Sequence, residues 1–362
     1  MKQKQRVFFG DKDPWGAAKP SDDERRELVQ GRTSPFSKFV GNEKSLRKLQ
    51  TAAYKALGTF NHMMRDLAFA IFGPSSAGKT TLARLYAETV GLPFVEISPK
   101  AVKSVDDVFK EIKRVLEAEG LPLQEVLRRN HYILPPIVCL IDEVHALTDG
   151  VVQGLLKATE YNDALMATES GKTINTFNVT WIIATTDEGK LFDAFRTRFS
   201  PVVLKYLNKA DVAKVVKMAN PDLTQEVCDL VAHYNSRITR KALEFARYMR
   251  LVKDMQVGMT WEAVAKQVAE DEGIDSFGMQ DVHLKILRAL GQGPIARNRI
   301  SLVAGRKDEE VERFILPWLL TETDDQPALV TVTAKGFTIT EAGLAELEKR
   351  AITHKGSKAL AA

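Results

Sequence analysis

A glycine-rich loop between an apolar segment and a helix-like segment is the strongest constraint on what this chain can fold into. Residues 73–81 read GPSSAGKTT, which has the spacing G-x-x-x-x-G-K-T. Glycines there let successive backbone N–H groups point at phosphate oxygens, and the following helix N-terminus adds a favourable dipole. The predicted phosphate-binding residues are Gly73, Pro74, Ser75, Ser76, Ala77, Gly78, Lys79, Thr80 and Thr81.

The segments on either side of this loop have the required periodicity. Residues 67–72 are an unbroken apolar run, as expected for a strand buried on both faces of a parallel sheet. Downstream, apolar residues recur at helical spacing until Gly91, which can end a helix. A chance glycine-rich turn is the alternative, but in this context we expect Lys79 to reach the phosphates of ATP and Thr80 to bind Mg²⁺.

A second apolar segment ends in two carboxylates. Residues 137–143 read IVCLIDE, and ligands collect at the carboxyl ends of strands in α/β sheets. We therefore expect Asp142 to hold Mg²⁺, directly or through water, and Glu143 to orient and polarise the attacking water. Two solvated acids at a strand end are the alternative. His145 follows closely, and a histidine in such a place is more often a packing or hydrogen-bonding residue than a catalyst.

Two further segments carry hydroxyls and arginines. Residues 179–186 read VTWIIATT, which predicts a core strand with a hydroxyl that contacts the γ-phosphate or the lytic water. Residues 191–199 then contain Arg196 and Arg198, and in a ring either could reach the neighbouring subunit's ATP as an arginine finger. Taken alone, either arginine is an ordinary surface salt-bridge partner.

Composition limits the class of protein more than its function. The 362 residues suffice for two or three domains, and a net charge of +4 by itself predicts no nucleic-acid partner. The chain has neither the roughly 20-residue apolar run of a membrane span nor a signal peptide's apolar core, so we expect a cytoplasmic protein. Cys139 and Cys228 are expected to be reduced core residues. Residues 1–34, rich in charge, proline and glycine, predict a flexible arm.

The C-terminal half changes character twice. Residues 207–272 predict a small helical bundle whose helices begin after Asn208, Thr224 and Thr260. Beyond Gly273, three helical segments precede two alternating segments, which together predict a winged helix. Positive charges there can neutralise DNA phosphates, although nearby acids also allow a merely solvated surface. The candidate DNA-contacting residues are Arg297, Arg299, Arg306 and Lys335.

Four segments in this order, GPSSAGKTT, LIDEVHAL, IIATTDEG and FRTRF, resemble the AAA+ ATPases, and within them the RuvB family of Holliday-junction branch-migration motors. The resemblance extends from about residue 35 to about residue 350. It implies an α/β fold with an AAA+ P-loop parallel-sheet domain over 35–206. A helical lid over 207–272, a winged-helix DNA-binding domain over 273–350 and a flexible tail over 351–362 would follow.

Matched position by position, the resemblance also implies roles for individual residues. Thr239 stands where the family usually has a proline before its sensor 2 arginine, and residues 163–174 look shorter than the family's partner-binding hairpin. The implied roles are Lys79 and Thr80 in Walker A, Asp142 and Glu143 in Walker B, Thr186 as sensor 1, Arg198 as the finger with Arg196 as fallback, and Arg240 as sensor 2.

The resemblance implies an ATP-driven, helicase-like DNA motor. It would use ATP and Mg²⁺, translocate duplex DNA at Holliday junctions in recombination and repair, and assemble as a homo-oligomeric ring, a hexamer by analogy. A RuvA-like junction-binding protein is the implied partner. One alternative is an AAA+ loader, similar to a clamp loader, that places another protein on DNA. Another is a winged-helix regulator with a vestigial ATPase, which the intact Walker motifs disfavour.

Overall fold

The computed structural model describes residues 20–58, 68–160, 164–168, 171–235, 238–276, 278–320, 322 and 327–359. The chain divides into two compact units. The first contains the residues up to Gly73 and those from Gly78 to Lys205, and the second contains Pro74–Ala77 and the residues from Tyr206 onward. In the described part of the chain, no helix is both long and apolar enough to cross a bilayer.

The first unit is built around a parallel sheet. In the described residues the sheet has five strands in the order β2-β3-β6-β1-β7, and every neighbouring pair is parallel. Both β3 and β6 are buried along their whole length, which explains their unbroken apolar sequences. The strands are β1 (Ala68–Phe72), β2 (Phe94–Ile97), β3 (Ile137–Ile141), β6 (Val179–Thr185) and β7 (Ser200–Val203), with a separate hairpin of β4 (Leu165–Ala167) and β5 (Thr173–Asn175).

Helices precede and connect the strands of this unit. They are α1 (Asp22–Gln30), α2 (Glu43–Gly58), α3 (Lys79–Val90), α4 (Val105–Ala118), α5 (Leu123–Arg129), α6 (Asp149–Ala158) and α7 (Asp193–Arg198). Helix α3 follows β1 through the predicted loop and ends at Gly91, whose left-handed φ of 67° matches its predicted role. Cys139 is a free, buried residue of β3, as predicted. Sequential strands and helices therefore form the predicted α/β architecture.

The predicted flexible arm is wrong for its described part. Residues 22–30 form helix α1, which begins with a capping box in which Ser21 and Glu24 bond each other's backbone N–H groups. Val29 of this helix is buried, and the Arg25 guanidinium lies over the ring of Tyr54 in α2. The segment has few apolar residues, but its cap and one buried valine fix it against α2. Residues 1–19 lie outside the described part.

The second unit begins with the predicted helical bundle. Its helices are α8 (Lys209–Ala219), α9 (Gln225–Tyr234), α10 (Thr239–Met255) and α11 (Trp261–Asp271). Asn208, Thr224 and Thr260 each accept a hydrogen bond from a backbone N–H of the first turn, so the three predicted caps are confirmed. Cys228 of α9 is free and buried in this bundle.

The predicted helices and hairpin of the winged helix are also present. The elements are α12 (Asp281–Leu290), α13 (Ile300–Ala304), α14 (Asp308–Glu310), a π-helical turn (Val311–Ile315), α15 (Leu316–Leu320), β8 (Val330–Thr333), β9 (Gly336–Ile339) and α16 (Glu341–Ala359). Phe337 of β9 is buried among apolar residues of α12, α13 and α15. Helix α16 continues to Ala359, so most of the predicted flexible tail, residues 351–362, has helical backbone instead.

The bundle and the winged helix are interlocked. Ile274, beyond the end of the bundle, packs against the bundle core, and Ile238, just before α10, packs against the winged-helix core. His233 Nε2 lies 2.8 Å from the carbonyl oxygen of Ser276. Arg350 of α16 donates a 3.0 Å hydrogen bond to the Asp275 carboxylate. Side chains from each part therefore stabilise the other.

Candidate functional site

The glycine-rich loop starts and ends with backbone that favours glycine. Gly73, directly after β1, has a φ of 156°, and a Cβ on it would lie 2.7 Å from the Leu204 carbonyl oxygen. Gly78 has a φ of 91° and precedes the first residue of α3, Lys79. The Lys79 ammonium is largely buried and donates a 2.9 Å hydrogen bond to the Gly73 carbonyl. The lysine therefore reaches back to the start of the loop.

The middle of the loop, Pro74–Ala77, belongs to the second unit. It contains a turn in which the Ala77 N–H lies 3.3 Å from the Pro74 carbonyl oxygen, and Ser76 has a left-handed φ of 66°. Such conformations turn backbone N–H groups toward one side, which suits an anion. Thr81, the last of the predicted loop residues, is exposed on α3.

Thr80 and Asp142 lie in hydrogen-bond contact. The Thr80 hydroxyl donates a 3.0 Å bond to Asp142 Oδ2, and Oδ1 accepts a 3.0 Å bond from the Glu143 N–H. Thr80 is in the first turn of α3, and Asp142 directly follows β3, so the start of this helix and the carboxyl end of this strand position the pair. A hydroxyl beside a carboxylate is the set of hard oxygen donors that Mg²⁺ prefers. These two residues fit the predicted metal.

Glu143 follows Asp142 after β3 and is held by Thr186, which follows the neighbouring strand β6. Its backbone has a left-handed φ of 52°, and its Oε2 accepts a 3.2 Å bond from the Thr186 N–H and a 3.1 Å bond from the Thr186 hydroxyl. Strands β3 and β6 are adjacent and parallel, which brings their carboxyl ends together. The structure thus places the predicted catalytic glutamate against the predicted sensor 1 threonine, while their roles stay predictions.

Sequence reasoning missed a contact beside this pair. His145 Nδ1 lies 2.8 Å from the hydroxyl of Thr185, the buried last residue of β6, and 3.5 Å from Glu143 Oε2. The Thr185 hydroxyl therefore contacts His145, whereas the Thr186 hydroxyl bonds to Glu143. The only sequence features that indicated this contact were the histidine after the two acids and the paired threonines.

The two candidate fingers both bond to their own chain. Arg198, the last residue of α7, donates to the Leu156 carbonyl, and its guanidinium lies 3.7 Å from the Glu160 carboxylate. Arg196 donates a 2.5 Å bond to the Glu188 carbonyl. Both contacts lie within the first unit and leave each guanidinium partly exposed.

The candidate residues from Arg240 onward are exposed. Arg240 is in the first turn of α10, two residues after Ile238. Arg297 and Arg299 lie in a 3₁₀ turn before α13, whereas Lys335 lies in the turn between β8 and β9. Arg306, after α13, is near Glu310 at 3.8 Å, and Arg297 is near Glu312 at 3.7 Å. Such weak exposed pairs leave the arginines able to contact phosphates.

A P-loop leading from β1 into α3, beside strands that end in Asp-Glu and Thr-Thr, defines a P-loop ATPase of the AAA+ type. The family model of the ATPase family associated with various cellular activities (AAA) matches residues 69–207. This range includes the loop, both acids, both threonines and both candidate fingers.

Similarity extends well beyond that domain. The Holliday junction branch migration complex subunit RuvB of Lactobacillus johnsonii is 24% identical over 352 residues, which cover 92% of this chain and 94% of that protein. The RuvB subunit of Campylobacter concisus is 25% identical over 325 residues, 85% of this chain and 88% of that protein. The chain therefore contains an AAA ATPase domain and is similar to RuvB subunits over most of its length.

Solved structures agree on the fold. The RuvB Holliday junction branch migration motor of Thermotoga maritima matches with a TM-score of 0.63 and 21% identity, over 86% of this chain and 95% of that one. The fold therefore comprises the AAA+ P-loop sheet followed by the lid and winged-helix parts.

Proposed function

We propose that this chain is an ATP-driven DNA motor that moves duplex DNA during Holliday-junction branch migration. The carrying observation is the cluster of Lys79, Thr80, Asp142, Glu143 and Thr186 in a chain similar over 92% of its length to a RuvB branch migration subunit. The cluster supplies the groups that ATP hydrolysis needs. The length of the match supports use of that hydrolysis on DNA.

In this proposal ATP and Mg²⁺ are the cofactors of the first unit. Lys79 neutralises charge on the β- and γ-phosphates, and Thr80 and Asp142 hold Mg²⁺, which supplies further charge neutralisation in the transition state. Glu143 orients and polarises the attacking water, and Thr186 donates hydrogen bonds that fix the glutamate. The backbone N–H groups of residues 78–81, at the start of α3, complete the phosphate site.

Two further proposed roles come from matched positions in the resemblance. Arg198 acts as an arginine finger toward a neighbouring subunit of a homo-oligomeric ring, a hexamer by analogy, and it then exchanges its bonds to Leu156 and Glu160 for the phosphate. Arg240, exposed at the start of α10, is proposed to sense the nucleotide.

The winged helix is the proposed DNA-binding part. Arg297, Arg299, Arg306 and Lys335 are exposed and positive, which suits phosphate contacts that carry no sequence information. We further propose a RuvA-like junction-binding partner, and the predicted cytoplasmic location stays a prediction. The loader alternative is not favoured, because the relatives that match nearly the whole chain are branch migration subunits.

The test is ATP-dependent movement of a synthetic four-way DNA junction, with and without a RuvA-type protein. We expect the unchanged chain to convert the junction into two duplexes only with ATP and Mg²⁺. Glu143→Gln is the matched control, because it keeps the size of the side chain and is expected to bind ATP without turning it over. ATP hydrolysis without junction movement under both conditions would contradict the motor and leave only the ATPase.

A further inference from the structure

We propose that His145 is a positioning residue for ATP hydrolysis, which together with Thr186 fixes the orientation of Glu143. The inference rests on the proposed function, since it concerns the residue that activates water there. Three distances carry it: His145 Nδ1 to Thr185 Oγ1 at 2.8 Å, His145 Nδ1 to Glu143 Oε2 at 3.5 Å, and Thr186 Oγ1 to Glu143 Oε2 at 3.1 Å.

The hydrogen bonds of Thr185 are compatible with a proton on His145 Nδ1. The Thr185 hydroxyl oxygen accepts a 3.0 Å bond from the Asp187 N–H, and the hydroxyl proton has an acceptor in the Asp187 carbonyl at 3.3 Å. A hydroxyl has one proton and two acceptor positions. When the Thr185 hydroxyl donates to the Asp187 carbonyl oxygen, its second acceptor position is available to a His145 Nδ1–H donor.

The nearby carboxylate favours the same assignment. An unprotonated Nδ1 would place a lone pair 3.5 Å from the negative Glu143 Oε2, whereas an Nδ1–H places a positive hydrogen there. Thr185 is almost fully buried, so its hydroxyl holds the imidazole in a fixed place. The Nδ1–H group therefore bonds to Thr185 and also attracts the glutamate.

This arrangement divides the two oxygens of Glu143 between two tasks. Oε2 is surrounded by protein donors: the Thr186 N–H at 3.2 Å, the Thr186 hydroxyl and the His145 Nδ1–H. In this proposal Oε1 is the oxygen that remains for the attacking water. A base held on one oxygen keeps the other at a constant place, and small errors in such placement lower rates strongly.

A purely structural role for His145 is the competing explanation. The His145 side chain is 23% exposed, and its polar nitrogen is directed at the ends of β3 and β6, not at the apolar core. A packing residue would be replaceable by any apolar side chain of similar size. A positioning residue requires the donor.

Two variants of nearly equal size separate these explanations. Asparagine can place an amide N–H where His145 has Nδ1–H, whereas leucine fills the same space without a donor. We expect His145→Leu to lower kcat for ATP about tenfold, as for a lost bond to a charged group, with KM nearly unchanged. His145→Asn should retain kcat to within about threefold of the unchanged chain. Equal losses in both variants would overturn the proposal.

A measurement without hydrolysis tests the same contact. In the full chain labelled with ¹⁵N at histidine, we expect Nδ1 of His145 to give the signal of a protonated, pyrrole-type nitrogen, which shifts in Glu143→Gln. A pyridine-type Nδ1 signal would refute the assignment. If the unchanged chain fails to hydrolyse ATP, the proposed function fails, while the nitrogen spectrum still decides whether His145 donates to Thr185 and faces Glu143.

Discussion

Replacing Arg350 by methionine should loosen the winged helix while leaving the parallel-sheet unit intact. Arg350 is only 7% exposed. Its Nε donates a 3.0 Å bond to the Asp275 carboxylate, and its Nη1 donates bonds of 2.8 Å and 2.9 Å to the carboxylate and carbonyl of Glu346. Methionine keeps much of the stem but removes every donor, so both carboxylates lose their bonds to Arg350, while Glu346 keeps its ion pair with Lys349.

The size of the effect follows from this burial. Removing one partner of a buried ion pair costs about 3–5 kcal/mol. The Asp275 and Glu346 side chains are 28% and 22% exposed, so water restores part of their solvation. We therefore expect a loss of about 2–3 kcal/mol, which corresponds to roughly 30- to 150-fold faster local opening.

Native-state hydrogen exchange of the whole chain measures this opening by region. The amides of α12 and β9 should exchange faster in Arg350→Met by that factor, whereas those of β3 and β6 should not change. Lys349→Met is the matched control, because the exposed Lys349 pairs with the same Glu346. Unchanged exchange in α12 and β9, or equal acceleration in the control, would refute the reasoning.

The same cluster predicts a pH dependence. Burial raises the pKa of Glu346, but hydrogen bonds from Lys349 and Arg350 outweigh it and lower the pKa below the ordinary value of 4.5. A lowered native pKa means that the ionised group stabilises the fold above pH 4.5, and that this stabilisation is lost as pH falls below it. On acidification, the melting temperature of the winged helix should fall less in Arg350→Met than in the unchanged chain.

Two further predictions concern a helix cap and the finger. Ser104→Ala should cost about 1 kcal/mol in the free energy of unfolding, measured by urea denaturation, because it breaks the capping box with Asp107 at the start of α4. Ser98→Ala is the control, since the Ser98 side chain makes no cap bond, and equal losses in both would contradict the prediction. Arg198→Ala should lose ATPase activity that mixing with Glu143→Gln subunits partly restores; no recovery on mixing would argue against a finger acting between subunits.

The sequence predicted those parts of the molecule whose functional residues are neighbours in the chain. The loop from Gly73 to Thr81 needs neighbouring residues at fixed spacing, so its pattern is visible without a structure. Contacts between distant residues left no such pattern: His145 and Thr185 are 40 positions apart, and each alone is unremarkable. Helix α1 was missed because it is stabilised by a cap, one buried valine and contacts with the distant helix α2, within a highly charged segment.

The interlocked side chains between the bundle and the winged helix bear on how this protein can be divided. The sequence suggests a domain boundary between residues 272 and 273. However, Ile274, after this boundary, packs against the bundle core, and Ile238, before it, packs against the winged-helix core. A fragment on either side would expose an apolar patch that the intact chain covers. Limited proteolysis should therefore spare this junction, and the smallest C-terminal piece that remains soluble should begin near Tyr206.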